Sequence, residues 1–196
     1  MKSNGDVRSI LLAGVGGQGI LRASDILCHV MMEAGLDVKK SEVHGMAQRG
    51  GCVTSHVRYG SKVYSPIAAK GDVDILVSFE KLETLRYLDF LKPRDGIIII
   101  SEREICPPSV NLGDAAYPDN IIEMVKNIFK QVKVVNANKI ALKAGDVRTE
   151  NTALLGVLSS SLSQFDISLW EKVIRGSFPE KAIEVNLKAF HMGRMA

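Results

Sequence analysis

The sequence has few of the residues that mark iron–sulfur, zinc or disulfide-rich proteins. Its 196 residues include three cysteines, Cys28, Cys52 and Cys106, which are far apart and form no Cys-x-x-Cys pair. Sites of those classes use several closely spaced thiolates, so the chain alone is not expected to bind a metal ion or a cluster. Cys28 falls in a helical pattern of apolar residues and is predicted to be a small core residue.

Long apolar runs and an excess of charge of either sign are also absent. No segment approaches the roughly 18 to 20 apolar residues that a membrane-spanning helix needs, and the opening MKSNGDVRS has no apolar region of the signal-peptide kind. The 25 Lys and Arg residues are scattered and the net charge is only +3, which argues against nucleic acid as a partner. We expect one cytoplasmic domain over residues 1–196, with neither nucleic acid nor membrane among its partners.

The spacing of apolar residues in the first part of the chain predicts a β-α-β unit. Residues 8–13 form an apolar run that is typical of a buried strand, and glycines follow it at once. A helical repeat of apolar residues then extends from about 18 to 34, where Gly35 closes it, and residues 36–41 are a short second strand.

The middle of the chain departs from this pattern. Residues 52–59 alternate in the manner of a strand, and a return at Val63 and Tyr64 would complete an antiparallel hairpin over 51–65. Further strands are predicted at 73–77, 97–100 and 132–135, and further helices at 81–91, 119–130, 138–143, 152–162, 167–174 and 179–192. The expected fold is a three-layer α/β/α, Rossmann-like mixed sheet with an antiparallel hairpin and a helical C-terminal region.

The first glycine-rich loop, GVGGQG, follows the first strand directly. Its glycines match the spacing of the dinucleotide-binding fingerprint, and a helix that begins after such a turn presents unpaired N–H groups to an anion. Asp37 and Glu42 lie where an acid that binds ribose hydroxyls would be expected. A P-loop is excluded because no Lys-Ser or Lys-Thr follows the last glycine, and the alternative is a turn needed only for close packing of strand and helix. The candidate residues of this loop are Gly14, Gly16, Gly17, Gln18 and Gly19.

The second glycine-rich loop lies within EVHGMAQRGG, residues 42–51. An imidazole could relay a proton there, a carboxamide could donate and accept hydrogen bonds, and a guanidinium could hold a phosphate or carboxylate at two points. Because this loop follows the second strand, we expect both loops at one edge of the sheet, where they would form a polar concavity for a partner or an anionic ligand. The alternative is a solvated surface loop. The candidate residues are His44, Gly45, Gln48, Arg49, Gly50 and Gly51.

Four segments resemble, in order and spacing, the gamma-chain family of 2-oxoacid:ferredoxin oxidoreductases. They are GVGGQGI, EVHGMAQRGG, the stretch GDVDILVSFEKLETLRYLDFLKPRDGIIII at 71–100 and NTALLGVLSSSL at 151–162. Within that family the chain is most similar to the beta subunit of the indolepyruvate type, and the likeness covers nearly the whole chain. In the third segment, Glu80 could be an interface residue or a solvated carboxylate at the start of a helix.

The resemblance implies that this chain is one subunit of a larger enzyme and that the chain has no catalytic residue of its own. Such complexes decarboxylate a 2-oxoacid on thiamine diphosphate, pass electrons through iron–sulfur clusters to ferredoxin and release an acyl-coenzyme A. In the indolepyruvate type, the larger alpha subunit carries the thiamine diphosphate and the clusters, so this chain would bind no cofactor alone. The 2-oxoacid is left open between aryl pyruvates, pyruvate and 2-oxoglutarate.

Two other functions are compatible with the residues. The first is a self-contained NAD- or FAD-binding module that uses the GVGGQG loop, with Glu42 on the ribose. The second is an α/β scaffold in which neither loop binds anything.

Overall fold

The computed structural model describes residues 7–45 and 51–196. In these residues six strands form one sheet in the order β2-β3-β1-β4-β5-β6. The strands are β1 (Arg8–Val15), β2 (Asp37–His44), β3 (Cys52–Gly60), β4 (Ile75–Ser78), β5 (Ile97–Ser101) and β6 (Gln131–Val135). The helices are α1 (Ile20–Glu33), α2 (Lys81–Tyr87), α3 (Pro108–Asn111), α4 (Ile121–Ile128), α5 (Ala137–Ala144), α6 (Glu150–Ser160), α7 (Ile167–Ser177) and α8 (Glu180–Arg194). Over the same part of the chain, no helix combines the length and apolar character that crossing a membrane requires.

The sheet is mixed because β3 runs against both of its neighbours. It pairs antiparallel with β1 on one side and with β2 on the other, whereas β1, β4, β5 and β6 are parallel to one another. The mixed sheet and its antiparallel strand over residues 52–59 were predicted from the sequence and are confirmed.

The predicted return of the hairpin at Val63 and Tyr64 is wrong. These residues form no strand, and β3 pairs instead with β2, which lies before it in the chain. The physical reason is a set of side-chain hydrogen bonds that hold residues 61–72 as a loop. Asp37 Oδ2 accepts a hydrogen bond from the Val63 N–H at 2.9 Å, and the buried Arg58 binds the carbonyl oxygen of Ile67.

Alternate residues of the strands face two separate cores, which gives the three layers. Ile10 and Leu12 of β1 lie on what we call the first face, under α1 and the C-terminal helices α5 to α8. Leu11 and Ala13 lie on the second face, under α2 and α4. This follows from the two-residue period of a strand, since a strand that is apolar at every position suits burial on both sides.

Several boundaries differ from the prediction. β2 continues to His44 because its pairing with β3 runs unbroken to the end of the strand. α2 ends at Tyr87 and is followed by a 3-10 turn, Leu88–Phe90. A short helix, α3, lies between β5 and α4, where no helix was predicted.

The helices α6 and α8 approach each other closely at two glycines. A Cβ atom at Gly156 would lie 2.1 Å from the Phe190 carbonyl oxygen, and one at Gly193 would lie 2.0 Å from the Ala153 carbonyl oxygen. Both obstacles are backbone atoms, so no side-chain rotation could relieve the overlap. The closeness of this helix pair therefore depends on the absence of two side chains.

Candidate functional site

The two glycine-rich loops meet at the carboxyl end of β1. Val15, the last residue of β1, is paired with Cys52, the first residue of β3. The Gly16 N–H donates to the Gly51 carbonyl oxygen at 2.9 Å, and the Gly45 N–H donates to the Cys52 carbonyl oxygen at 2.9 Å. The Gly51 end of the second loop therefore lies directly beside the first loop, whereas the Gly45 end lies one strand further away, beyond β3.

Some of the residues predicted for the second loop belong to the part of the chain that the structure describes, and others do not. The backbone of His44 ends β2, opposite Val53 of β3. The candidates Gln48, Arg49 and Gly50 lie outside the described residues, together with Met46 and Ala47.

Gln18 fills the crevice between the ends of β1 and β4. In open α/β sheets, ligands enter the crevice where successive connections leave in opposite directions, and here α1 covers the first face while α2 covers the second. The Gln18 carboxamide accepts from the Val15 N–H and donates to the Phe79 carbonyl oxygen, each at 2.7 Å. A Cβ atom at Gly14 would lie 2.7 Å from Gln18 Oε1 and 2.8 Å from Phe79 Cβ. This crevice is thus closed by the chain itself.

The acids that were considered for a ribose are poorly placed. In the dinucleotide-binding fold the second strand lies next to the first, whereas here β3 separates β1 from β2. Two strand spacings put β2 about 10 Å from β1. Asp37 lies at the start of β2 and binds the Val63 N–H, which lowers the pKa of its carboxyl group, while Glu42 forms an ion pair with Lys40.

A groove of about 660 Å³ lies on the other side of the first glycine-rich loop. Gly17 and Gly19 have φ angles of 100° and 75°, a conformation that glycine adopts readily. The groove is lined by Gly16, Gly17, Gly19, Ile20, Leu21, Arg22, Asp25 and Val53. It combines exposed backbone with one acidic and one basic side chain, an arrangement that suits hydrogen bonding to a partner chain or to an anion.

Asn151 is a contact of this loop that the sequence analysis missed. Its Nδ2 donates to the Gly19 carbonyl oxygen at 3.4 Å, and its Oδ1 accepts from the Thr152 N–H at 2.9 Å. The Thr152 hydroxyl donates in turn to Asn186 Oδ1 at 2.7 Å. These buried side chains connect the loop with α6 and α8. The only signal in the sequence was the segment NTALLG, which contributed to the resemblance without indicating this role.

Glu80 is the N-cap residue of α2, and it is buried, so the alternative of a solvated carboxylate at the start of the helix is wrong. Only 1% of the residue is exposed. Its Oε2 accepts from the Glu83 N–H at 3.0 Å, and its Oε1 accepts from the Ile105 N–H at 3.2 Å and from the Tyr117 hydroxyl. The carboxylate therefore joins α2 to two later segments of the chain.

The three cysteines differ in burial: Cys28 is buried, Cys52 is partly buried and Cys106 is exposed. Cys28 is buried in the first-face core as predicted, and burial raises the pKa of its thiol to about 12. Among residues 7–45 and 51–196, no three His, Cys, Asp or Glu side chains are grouped so as to hold a metal ion.

We expect Gln18→Ala to lower the free energy of unfolding by about 2 kcal/mol, because the Val15 N–H and the Phe79 carbonyl would lose their partner in a partly buried place. Gln18→Glu should not restore it, since a carboxylate would face the Phe79 carbonyl oxygen without a proton to donate. Urea unfolding would measure both. Gln164→Ala is the control, because Gln164 is exposed and makes only a 3.5 Å contact. Equal midpoints for Gln18→Ala and Gln164→Ala would contradict the structural role of Gln18.

Comparison with known proteins identifies relatives over the whole described fold. The family described as pyruvate ferredoxin/flavodoxin oxidoreductase matches residues 9–196. Over 188 residues the chain is 43% identical to the indolepyruvate oxidoreductase subunit IorB of Archaeoglobus fulgidus, covering 94% of this chain and 92% of that relative.

Two solved structures share the fold. The pyruvate oxidoreductase subunit PORC of Thermotoga maritima has a TM-score of 0.72 at 24% identity and covers 97% of this chain and 96% of its own. The 2-oxoglutarate:ferredoxin oxidoreductase of Magnetococcus marinus has a TM-score of 0.74 at 22% identity, and the match covers 97% of this chain but 31% of that longer chain.

Nothing in these comparisons supports a self-contained dinucleotide-binding module, and the closed crevice at Gln18 and the inserted β3 argue against one. The family match and the 43% identity both extend over nearly the whole chain. The chain belongs to the pyruvate ferredoxin/flavodoxin oxidoreductase family.

Proposed function

We propose that this chain is the smaller subunit of a 2-oxoacid:ferredoxin oxidoreductase that acts on indolepyruvate or another aryl pyruvate. The complex would oxidatively decarboxylate the 2-oxoacid to an acyl-coenzyme A and pass the electrons to ferredoxin. The observation that carries the proposal is the 43% identity, over 94% of this chain, to a subunit named for indolepyruvate oxidation.

A larger alpha subunit would carry thiamine diphosphate and the iron–sulfur clusters, and this chain would be inactive alone. The residues present do not fit a cluster. Cys28 is buried in the core, Cys52 is in contact with Tyr87, and Cys106 is exposed, whereas cluster ligation uses four Cys thiolates.

The two glycine-rich loops would bind the larger subunit or an anionic part of a cofactor such as coenzyme A. Two observations support this role. The hydrogen bond between Gly16 and Gly51 joins the two loops at one edge of the sheet, and the side chains of Gln18 and Asn151 hold the first loop through hydrogen bonds to its backbone. A surface that is already ordered loses less entropy on binding. We assign the whole chain to one cytoplasmic domain of this complex.

The proposal is tested by reconstitution with the larger subunit. The complex, but neither subunit alone, should reduce ferredoxin in the presence of coenzyme A and a 2-oxoacid, and indolepyruvate should be preferred to pyruvate and 2-oxoglutarate. Reduction by the larger subunit alone at the rate of the complex would refute the need for this chain.

Arg49→Ala should weaken assembly or turnover about tenfold or more, because hydrogen bonds to charged groups contribute roughly 1.5 to 3 kcal/mol. Arg49→Lys should recover only part of the loss, since Lys cannot bind an anion at two points. Arg148→Ala is the control, because that side chain is 86% exposed and pairs with Asp146. Wild-type affinity and turnover for Arg49→Ala would refute the role of Arg49 and leave the proposed function standing.

A further inference from the structure

A second recess lies at the carboxyl end of the sheet, on the side covered by α2. It has a volume of about 330 Å³, within the range of small-molecule sites. We call it the Arg86 cleft. Its walls come from the ends of β1 and β3, from α2 and from the segment around α3, and its lining includes Val15, Cys52, Leu82, Glu83, Arg86, Ile105 and Pro107.

Arg86 is the basic side chain of this cleft and forms an ion pair with a buried acid. Its Nε lies 3.1 Å from Glu83 Oε1, one helical turn earlier. The Glu83 side chain is 6% exposed, whereas that of Arg86 is 51% exposed. Within the described residues, no hydrogen bond is made by the two terminal nitrogens of Arg86. They form a planar fork that matches a carboxylate or a phosphate.

The Glu83 carboxyl that pairs with Arg86 lies in a mostly buried place beside Cys52. Burial raises the pKa of the Glu83 carboxyl, and the Cys52 thiol and the Arg86 guanidinium oppose that rise. Cys52 lies 2.9 Å from the Tyr87 hydroxyl, and burial is the main cause that raises the pKa of its thiol to about 11. The thiol is therefore uncharged near neutral pH, and Arg86 is the cation paired with Glu83 Oε1, while the buried Glu83 Oε2 has no hydrogen-bond partner within the described residues.

The remaining walls of the cleft are mostly apolar, apart from Cys106 and Asn111 at the segment around α3. Val15, Leu82 and Ile105 line it together with the consecutive prolines 107 and 108. Such a wall favours the burial of a flat apolar body, while the guanidinium requires an anion at the mouth. A free inorganic ion would leave the apolar wall unused, and a neutral aromatic would leave the guanidinium unpaired.

We infer that the Arg86 cleft binds a small organic anion, with its carboxylate or phosphate on Arg86 and its apolar part against the wall of Ile105 and the prolines. The site belongs to this chain alone. It therefore goes beyond the proposed function, and its test requires neither assembly nor turnover.

The test is titration of the purified full-length chain with two probes that share a phenyl ring and carry different anions. Phenylpyruvate offers a carboxylate and phenyl phosphate offers a phosphate, and benzyl alcohol is the neutral control. We expect saturable binding of at least one anion, followed by calorimetry or amide NMR shifts, and no saturable binding of benzyl alcohol. The probe that binds more tightly shows whether the site prefers a carboxylate or a phosphate.

Two variants locate the site. Arg86→Gln should weaken binding of the preferred probe about tenfold or more, the effect of losing a charge-assisted pair. Arg175→Gln is the matched control, because Arg175 is 54% exposed and also pairs with a glutamate, Glu184, but lies on α7; it should bind as the wild type does. Absence of saturable binding of both anions, or undiminished binding by Arg86→Gln, would overturn the inference.

Discussion

Gly156→Ala is expected to lower the free energy of unfolding by about 3 kcal/mol or more. The added methyl group would lie 2.1 Å from the Phe190 carbonyl oxygen and 2.9 Å from the Arg194 nitrogen, both in the backbone of α8. Since neither atom can rotate away, α6 and α8 must move apart, and overpacking of this kind usually costs about 1 to 3 kcal/mol even where side chains can adjust. Gly193→Ala meets the Ala153 carbonyl oxygen in the same way and should cost a similar amount.

Gly176→Ala is the matched control for these variants. Gly176 is also in a helix, α7, but a Cβ atom there would meet nothing within 4 Å. Alanine is the better helix former, so this variant should be as stable as the wild type or more stable by up to about 1 kcal/mol. Urea unfolding of the three variants separates the effect of close packing from helix propensity. A Gly156→Ala midpoint at or above the wild-type value would show that the helices are not held at this distance.

Glu80→Ala is expected to cost about 3 kcal/mol or more, because it removes the acceptor of three hydrogen bonds at a buried position. The Glu83 N–H, the Ile105 N–H and the Tyr117 hydroxyl would all be left without it, and each buried donor without a partner costs about 1 to 3 kcal/mol. Glu80→Gln keeps one acceptor oxygen and should lose less.

Glu104→Ala controls for the removal of an acid from the same region. Glu104 pairs with Lys81 and its side chain is 54% exposed, so its loss should cost about 1 kcal/mol or less. Urea unfolding gives the energies, and hydrogen exchange at the Ile105 amide reports the local effect. If Glu80→Ala were no more costly than Glu104→Ala, the carboxylate would not be joining these segments as described.

The fold could be predicted from the sequence as far as local patterns determine it. The alternation over 52–59 correctly indicated a strand, and the apolar run 97–100 correctly indicated another, in which Ile98, Ile99 and Ile100 are buried. The strand that pairs with β3 could not be predicted from local patterns. It is decided by contacts between distant residues, such as Arg58 with Ser9 and Asp72, which hold the following loop away from the sheet.

Prediction of the candidate site was limited for the same reason, because local patterns do not determine contacts between distant residues. The spacing of the glycines is that of a dinucleotide-binding turn, but the spacing says nothing about the order of strands or about the direction of the Gln18 side chain. Both became visible only in three dimensions. Likewise, Glu83 and Arg86 have the spacing of an ordinary surface pair on a helix, and only the burial of one partner distinguishes them.

The double pairing of β3 also ties its register to the formation of the site. A slip of one residue along β1 would carry Gly51 away from Gly16 and would turn every side chain of the strand to the opposite face. Arg58 would then enter the core beneath α1, and Val57 would leave it. A misregistered chain therefore loses its core and its paired loops together, so selection for a stable sheet also preserves the alignment of the two loops.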